Sequence, residues 1–222
     1  MKKMTMFSLI MMVMLFLFTA GCIRKIEPIF GEMTDARDGQ TYQTVTLGDQ
    51  TWLAQDLNYE TDNNSWCYQD KSENCDNYGR LYTWEEALTA CPAGWHLASD
   101  EEWSTLVKYL DPKADPNNVL IESKIAGGML KATGTKEDGT GLWRRPNAGA
   151  TNVSGFSAVP GGIRFPTGFF NQMGNQVTFW TSTEFNANSA WFRYLDYGVD
   201  DVDRDNTVIT KAYAVSVRCI MD

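Results

Sequence analysis

Histidine is nearly absent from this chain. Among 222 residues there is one, His96, and the five cysteines form no CxxC pair. A zinc site needs several thiolates or imidazoles at close spacing, so none is expected. A serine nucleophile needs a base beside it, and Ser182 in WTSTE (180–184) has only His96 available in the whole chain. His96 itself lies between Trp95 and Leu97, which reads as a packed, hydrogen-bonded ring. Glu101 and Glu102 follow a helix start, where the helix dipole favours acids without any catalytic role. Basic residues are also scarce: 19 Lys and Arg against 28 Asp and Glu give a formal net charge of −9. A chain of that sign repels phosphate backbones, which argues against nucleic acid as a partner. Internal repeats of the solenoid or propeller kind are missing. So is any apolar run of the ~20 residues that a membrane-spanning helix needs.

The apolar run that does occur is MFSLIMMVMLFLF (6–18), preceded by Lys2 and Lys3 and followed by TAGC (19–22). This is the layout of a secretory signal peptide. Its end resembles the bacterial lipobox, with Thr19 where Leu is usual. The expectation is a signal peptide at 1–21, cleavage before Cys22, and lipid on Cys22 that anchors the chain to a membrane. Residues 22–37 (with Pro28, Gly31 and mixed charges) read as a tether, and 38–222 as one domain. Cys67, Cys75, Cys91 and Cys219 remain. An even number in an exported chain favours disulfides. Three pairings are possible; Cys67–Cys75 and Cys91–Cys219 are favoured.

Patterning supplies the elements. TYQTVTLGDQTWLAQDL (41–57) has two β-rich runs around Gly48-Asp49, a hairpin signal. Residues 58–79 are polar and read as a loop. Thr83-x-x-Glu86 and Ser99-x-x-Glu102 are two capping boxes, opening helices to about Ala90 and to Leu110. In the second, Trp103, Leu106, Val107 and Leu110 form one apolar stripe. Residues 111–154 are an irregular excursion with a short helix near 120–131. Strand signals follow at 155–165, 176–184, 189–197 and 212–221. The last alternates and predicts one buried face of Tyr213, Val215, Val217 and Cys219.

The ordered motifs SWCYQDKSENCDNYGRLYTWEEAL (65–88), CPAGWHLASDEEW (91–103), GFSAVPGGIR (155–164), FWTSTE (179–184), AWFRYL (190–195) and AVSVRCIMD (214–222) closely resemble the FISUMP domain. This is the Fibrobacter succinogenes major paralogous domain of exported proteins and lipoproteins in Fibrobacter and Bacteroidota. The resemblance runs from about Asp38 to the C-terminus. It implies an α+β, C-type-lectin-like fold: two short helices with antiparallel sheets and long irregular loops. A cysteine at the first helix end bridged to the final strand is similar to the core disulfide of that fold, which supports Cys91–Cys219. The family brings no established activity. Formylglycine-generating enzymes share a related fold, but no matching catalytic cysteine pair is present, and fold alone carries no activity.

The expected protein is therefore a non-enzymatic lipoprotein of the cell envelope, on the outer membrane, binding a polysaccharide or an envelope protein. The alternatives are a structural subunit of an envelope complex and, third, an enzyme. Loop residues Trp143, Arg144, Arg145, Phe169 and Phe170 are the expected contacts, because aromatics and Arg serve sugar stacking and protein anchoring. Asp201, Asp203 and Asp205 in DVDRDN present alternate carboxylates that could converge on calcium, although the EF-hand pattern is incomplete. No other cofactor is expected.

Overall fold

The computed structural model describes residues 25–222; Cys22 and the apolar run before it lie outside the described residues. The first described strands form a meander of β1 (Ile29–Thr34), β2 (Thr41–Leu47) and β3 (Gln50–Leu53). Gly48 adopts a φ of +64° in the two-residue turn, which joins Leu47 to Gln50 as expected. The tether reading is corrected for β1, which pairs with β2 from Ile29↔Thr46 to Thr34↔Thr41. Nearly every β1 residue is exposed, so no burial period marks it, and only its backbone ladder makes it a strand.

The polar stretch expected as a loop is also corrected. It holds β4 (Ser65–Trp66), a short 3-10 turn at Tyr68–Asp70, and the helix α1 (Ser72–Tyr78). SENCDNY has little intrinsic helix preference, and α1 has no side-chain cap. Burial of Cys75 and Tyr78 and the Cys67–Cys75 disulfide hold it. Next come β5 (Leu81–Tyr82), α2 (Trp84–Ala90), β6 (Trp95–Leu97) and α3 (Asp100–Leu110). Ser99 and Glu102 form the full capping box of α3, and its predicted stripe of Trp103, Leu106, Val107 and Leu110 is buried. Thr83 is the N-cap of α2 but makes no side-chain cap bond.

The single helix expected over 120–131 divides into β7 (Leu120–Ser123) and α4 (Ala126–Leu130). Ser123 Oγ accepts the N–H groups of Ile125 and Ala126, which breaks the run. The remaining strands are β8 (Ile163–Arg164), β9 (Phe170–Asn171), β10 (Gln176–Asn186), β11 (Ser189–Asp196), β12 (Val202–Asp205), β13 (Val215–Ser216) and β14 (Cys219–Met221). One sheet has the order β1-β2-β3-β14-β6 and a second the order β4-β5-β13-β10-β11-β12-β7; β8 and β9 form a separate pair. Named strands pair antiparallel except β10 with β13. The fold is thus α+β with short helices and mainly antiparallel sheets, compatible with the C-type-lectin-like expectation.

The C-terminal run does not form one strand with a buried and an open face. It passes from one sheet to the other, and every residue from Ala214 to Ile220 is buried. Arg218 lies at this crossing, fully buried, with its guanidinium on Asp56 and the Leu53 and Phe156 carbonyls. On one side is a core around Trp52, Trp103, Phe156 and Phe179, with the two indoles 5.0 Å apart. On the other is a core around Tyr42, Tyr82, Trp84, Trp180 and Phe192. The disulfide Cys91–Cys219 joins the end of α2 to β14, and both expected bridges are present.

Candidate functional site: a groove over the large sheet

Alternation along β10, β11 and β12 sends successive side chains to opposite faces. Val177, Phe179, Leu195 and Val202 enter the core under α3. Arg193 and Arg204 lie with them. Arg193 bonds Asp100 at 2.7 Å and Glu122 at 2.7 Å; Arg204 bonds Asp100 at 2.6 Å. This network clamps two adjacent strands to the start of α3.

The other face packs Trp180 and Phe192 into the second core and opens beside them on a groove. Register pairs Thr178 with Tyr194, Tyr194 with Asp203, and Phe192 with Asp205. These residues floor a cavity of about 360 Å³. Ile163 and Phe165 wall it from the β8 side, Val208, Ile209 and Tyr213 from the segment before β13, and Gln172 and Gln176 add amides. Phe165 packs on Tyr213 with ring centroids 5.1 Å apart, which ties the two walls together.

The carboxylates of this face have different roles. Asp205 Oδ1 accepts the N–H of Asn206 at 2.6 Å and of Thr207 at 2.8 Å, and the Thr207 hydroxyl at 2.7 Å. It therefore shapes the wall segment. Asp196 accepts the Tyr194 hydroxyl at 2.8 Å and the Gly198 N–H at 2.7 Å. Burial, then the hydrogen bond to Asp196, raises the Tyr194 pKa. Asp203 has neither a hydrogen bond nor an ion pair from its side chain among the described residues. Burial, reinforced by Asp201, Asp205 and Asp196, pushes its carboxyl up to about 6. Thr178 is 2% exposed, lines the cavity, and its hydroxyl has no hydrogen-bond partner among the described residues.

The expected contact residues do not gather here. Trp143 is a correction: it is fully buried, with its indole N–H donated to the Ala158 carbonyl at 3.0 Å. The irregular sequence around it conceals a core anchor under a long loop. Arg144 and Arg145 are exposed, and Arg145 is paired with Asp138. Phe170 is half-buried against Tyr68. Phe169 is 63% exposed and packs on Phe165, so it alone of the five approaches the groove. The calcium reading is also corrected. Val202–Asp205 is a strand, so its carboxylates are spread along an extended backbone, and Asp205 is committed to its own turn. Among the described residues no group of three or more His, Cys, Asp or Glu is placed to hold a metal ion.

His96 bonds Asp222 through Nδ1 at 2.7 Å and Glu102 through Nε2 at 2.9 Å. Burial opposes its charged form, but these two carboxylates outweigh that and raise its pKa. It joins the C-terminus to the α3 capping box, away from the groove. The residues sequence reasoning missed are Thr178, Phe192, Tyr194 and Tyr213. Alternation in AWFRYL puts Phe192 and Tyr194 on one face, and that was the available signal.

The molecule is a disulfide-tied α+β domain with an aromatic groove and an unpaired carboxylate within it. The chain belongs to the Fibrobacter succinogenes major domain family (Fib_succ_major), whose model matches residues 32–221. That match starts inside β1, in agreement with the strand pairing that extends the domain beyond Asp38. No curated protein and no solved structure matches the chain.

Proposed function

We propose that the chain is a lipid-anchored envelope protein, held on the outer membrane through Cys22, whose domain binds a saccharide without turning it over. The observation that carries this reading is the groove over β10, β11 and β12. Its volume of about 360 Å³ is at the small end of ligand sites, suited to one or two sugar units rather than to a protein surface. Aromatic walls at Phe165 and Tyr213 offer stacking faces, and Gln172, Gln176 and Thr178 offer hydrogen bonds to hydroxyls. Glycoside hydrolysis commonly requires two working carboxylates. Asp205 and Asp196 are both committed to hydrogen bonds that shape turns, which leaves Asp203 without a partner for that chemistry.

Two disulfides fit an oxidising compartment outside the cytoplasm. From Cys22 to Ile29 an extended chain spans at most about 25 Å, so a lipid on Cys22 would keep the domain close to the bilayer. The anchor is tested by palmitate labelling of cells, with incorporation expected in the native chain and lost in Cys22→Ser. The groove is tested on a glycan array. Binding to an envelope or extracellular polysaccharide is expected, and Tyr213→Ala is expected to remove it. A protein that binds no glycan, yet co-purifies from membranes with one stoichiometric envelope protein, would replace this reading with that of a structural subunit.

A further inference from the structure

We infer that the groove selects a saccharide bearing a protonated primary amine, with the ammonium against Asp203 and the sugar ring against Tyr213 and Phe165. The inference rests on the saccharide reading above and narrows it to a substrate class.

Charge is the first ground. Among the groove's lining residues are two aspartates and no lysine or arginine. The nearby arginines, Arg193 and Arg204, reach toward α3 on the opposite face, where Asp100 and Glu122 neutralise them. The charged groups that act on Asp203 are Asp201 and Asp205 from its own strand and turn and Asp196 from β11, all of one sign. Tyr194 on β11 faces it as well. A carboxylate in that company lacks a counter-ion, and a cation entering the groove supplies one.

The walls are the second ground. Phe165, Phe192, Tyr194 and Tyr213 present four rings around the space. Elsewhere in the chain cations rest on rings: Arg204 lies 3.5 Å from the Trp191 centroid and Arg37 3.6 Å from that of Tyr59. An ammonium flanked by rings and a partly desolvated carboxylate gains from both.

The third ground is independent of charge. Thr178 is nine-tenths buried and more, lies in the cavity floor, and leaves its hydroxyl unpartnered. That hydroxyl opens on the cavity rather than being sealed in the core, so a ligand hydroxyl can take the place of water as its partner. In register it lies across Tyr194 from Asp203, so the ligand meets a carboxylate at one end of a three-strand row and a hydroxyl at the other. An amino sugar offers both an ammonium and ring hydroxyls. An N-acetylated sugar offers no charge.

The test is isothermal titration of the detergent-solubilised full chain with three probes. They are a short glucosamine oligosaccharide, its fully N-acetylated counterpart, and cadaverine, an amine without a sugar. The glucosamine oligosaccharide is expected to bind at least about tenfold more tightly than either control. Asp203→Asn, with its fold checked by near-ultraviolet circular dichroism, should erase that preference, and Thr178→Val should weaken binding. Lowering the pH from about 6.5 to about 4.5 should weaken binding by the native chain, because Asp203 then takes up a proton while the amine stays charged.

Equal binding of the N-acetylated probe overturns the amine inference and leaves the saccharide reading standing. Equal binding of cadaverine overturns the sugar half of the inference, and a preference that survives Asp203→Asn overturns the site. If neither sugar binds but a glycan-array signal is lost in Tyr213→Ala, only this inference falls. If there is no glycan signal at all, both fall.

Discussion

Asp203 is a half-buried charged group and Arg218 a fully buried one, and the structure treats them in opposite ways. Asp203 has no partner, and burial followed by its acidic neighbours raises its pKa from 3.8 to about 6. The folded state therefore binds this proton more tightly than the unfolded chain does. Its contribution to stability is full below about pH 4 and is lost as pH rises through about 6. Asp203→Asn should stabilise the fold at neutral pH by about 1–2 kcal/mol, a figure reduced for solvent screening, and by nothing at about pH 3.5. Urea denaturation at both pH values checks this; a variant no more stable than the native chain at neutral pH would mean that Asp203 is not strained. Such a gain on removing the carboxyl is what a residue kept for binding should show. Arg218 is the contrary case, fully buried with Asp56, also fully buried, as its counter-ion. Burial pushes the Asp56 carboxyl up while Arg218 pulls it down, and the guanidinium cannot shed its proton. Asp56→Ala leaves that charge stranded and should cost about 3–5 kcal/mol. Pairing Arg218→Met with Asp56→Leu should recover much of the loss, because a well-packed apolar pair replaces two desolvated ions. Denaturant midpoints of the single and paired variants measure both effects.

At the scale of elements, two motifs that look alike in sequence behave differently. Ser99-x-x-Glu102 closes as a reciprocal box, with Glu102 N–H donated to Ser99 Oγ at 3.2 Å and Ser99 N–H to Glu102 Oε2 at 2.7 Å. Thr83-x-x-Glu86 starts a helix without a side-chain cap, and Trp84 and Ala87 hold α2 by burial instead. Ser99→Ala should destabilise the chain by about 1 kcal/mol, and Thr83→Ala by less than about 0.5 kcal/mol. Equal losses in thermal unfolding would show that the box adds nothing beyond its position. This contrast also marks how much could be read beforehand. Elements whose own residues carry the stabilising pattern were legible: α3 through its box and stripe, the β2–β3 hairpin through Gly48, and β10 and β11 through their apolar runs. Elements that exist through a partner were not. β1 is a strand because β2 lies beside it, and α1 is a helix because Cys75 is tied to Cys67. The groove was half legible for the same reason. Alternation exposes Phe192 and Tyr194 together, but only the register of three strands brings Thr178 and Asp203 to either side of Tyr194. Trp143 misled because a tryptophan in a Gly-rich loop looks like a surface anchor, whereas this loop folds back to cover the core.

At the scale of the whole molecule, the C-terminal ten residues supply an interior strand to each sheet and side chains to both cores. β13 completes the sheet that bears the groove, β14 completes the other, and Arg218 between them holds carbonyls from β3 and from the loop at Phe156. Cys219 lies one residue past that junction, fully buried, and is bonded to Cys91 across a sequence separation of 128. Cys67–Cys75 closes a separation of 8 and touches the margin of the fold. In the chain-entropy account the longer loop restricts the unfolded chain by up to about 5 kcal/mol and the shorter by about 2.5 kcal/mol, before native-state strain or residual structure reduces either. Packing widens the difference, since Cys219 belongs to the core that also holds Trp180 and Phe192. Replacing Cys91 and Cys219 by alanine should therefore lower the urea midpoint clearly more than replacing Cys67 and Cys75. It should also loosen the groove, because β13, β10 and the Tyr213 segment lose their tie to α2. The short-bridge variant should keep ligand binding near the native level while α1 frays. Amide hydrogen exchange on the two double variants separates these outcomes. Protection lost across β10–β13 in the first and confined to residues 65–80 in the second is expected. If both lose protection only locally, the C-terminal crossing is not what joins the two halves of the fold.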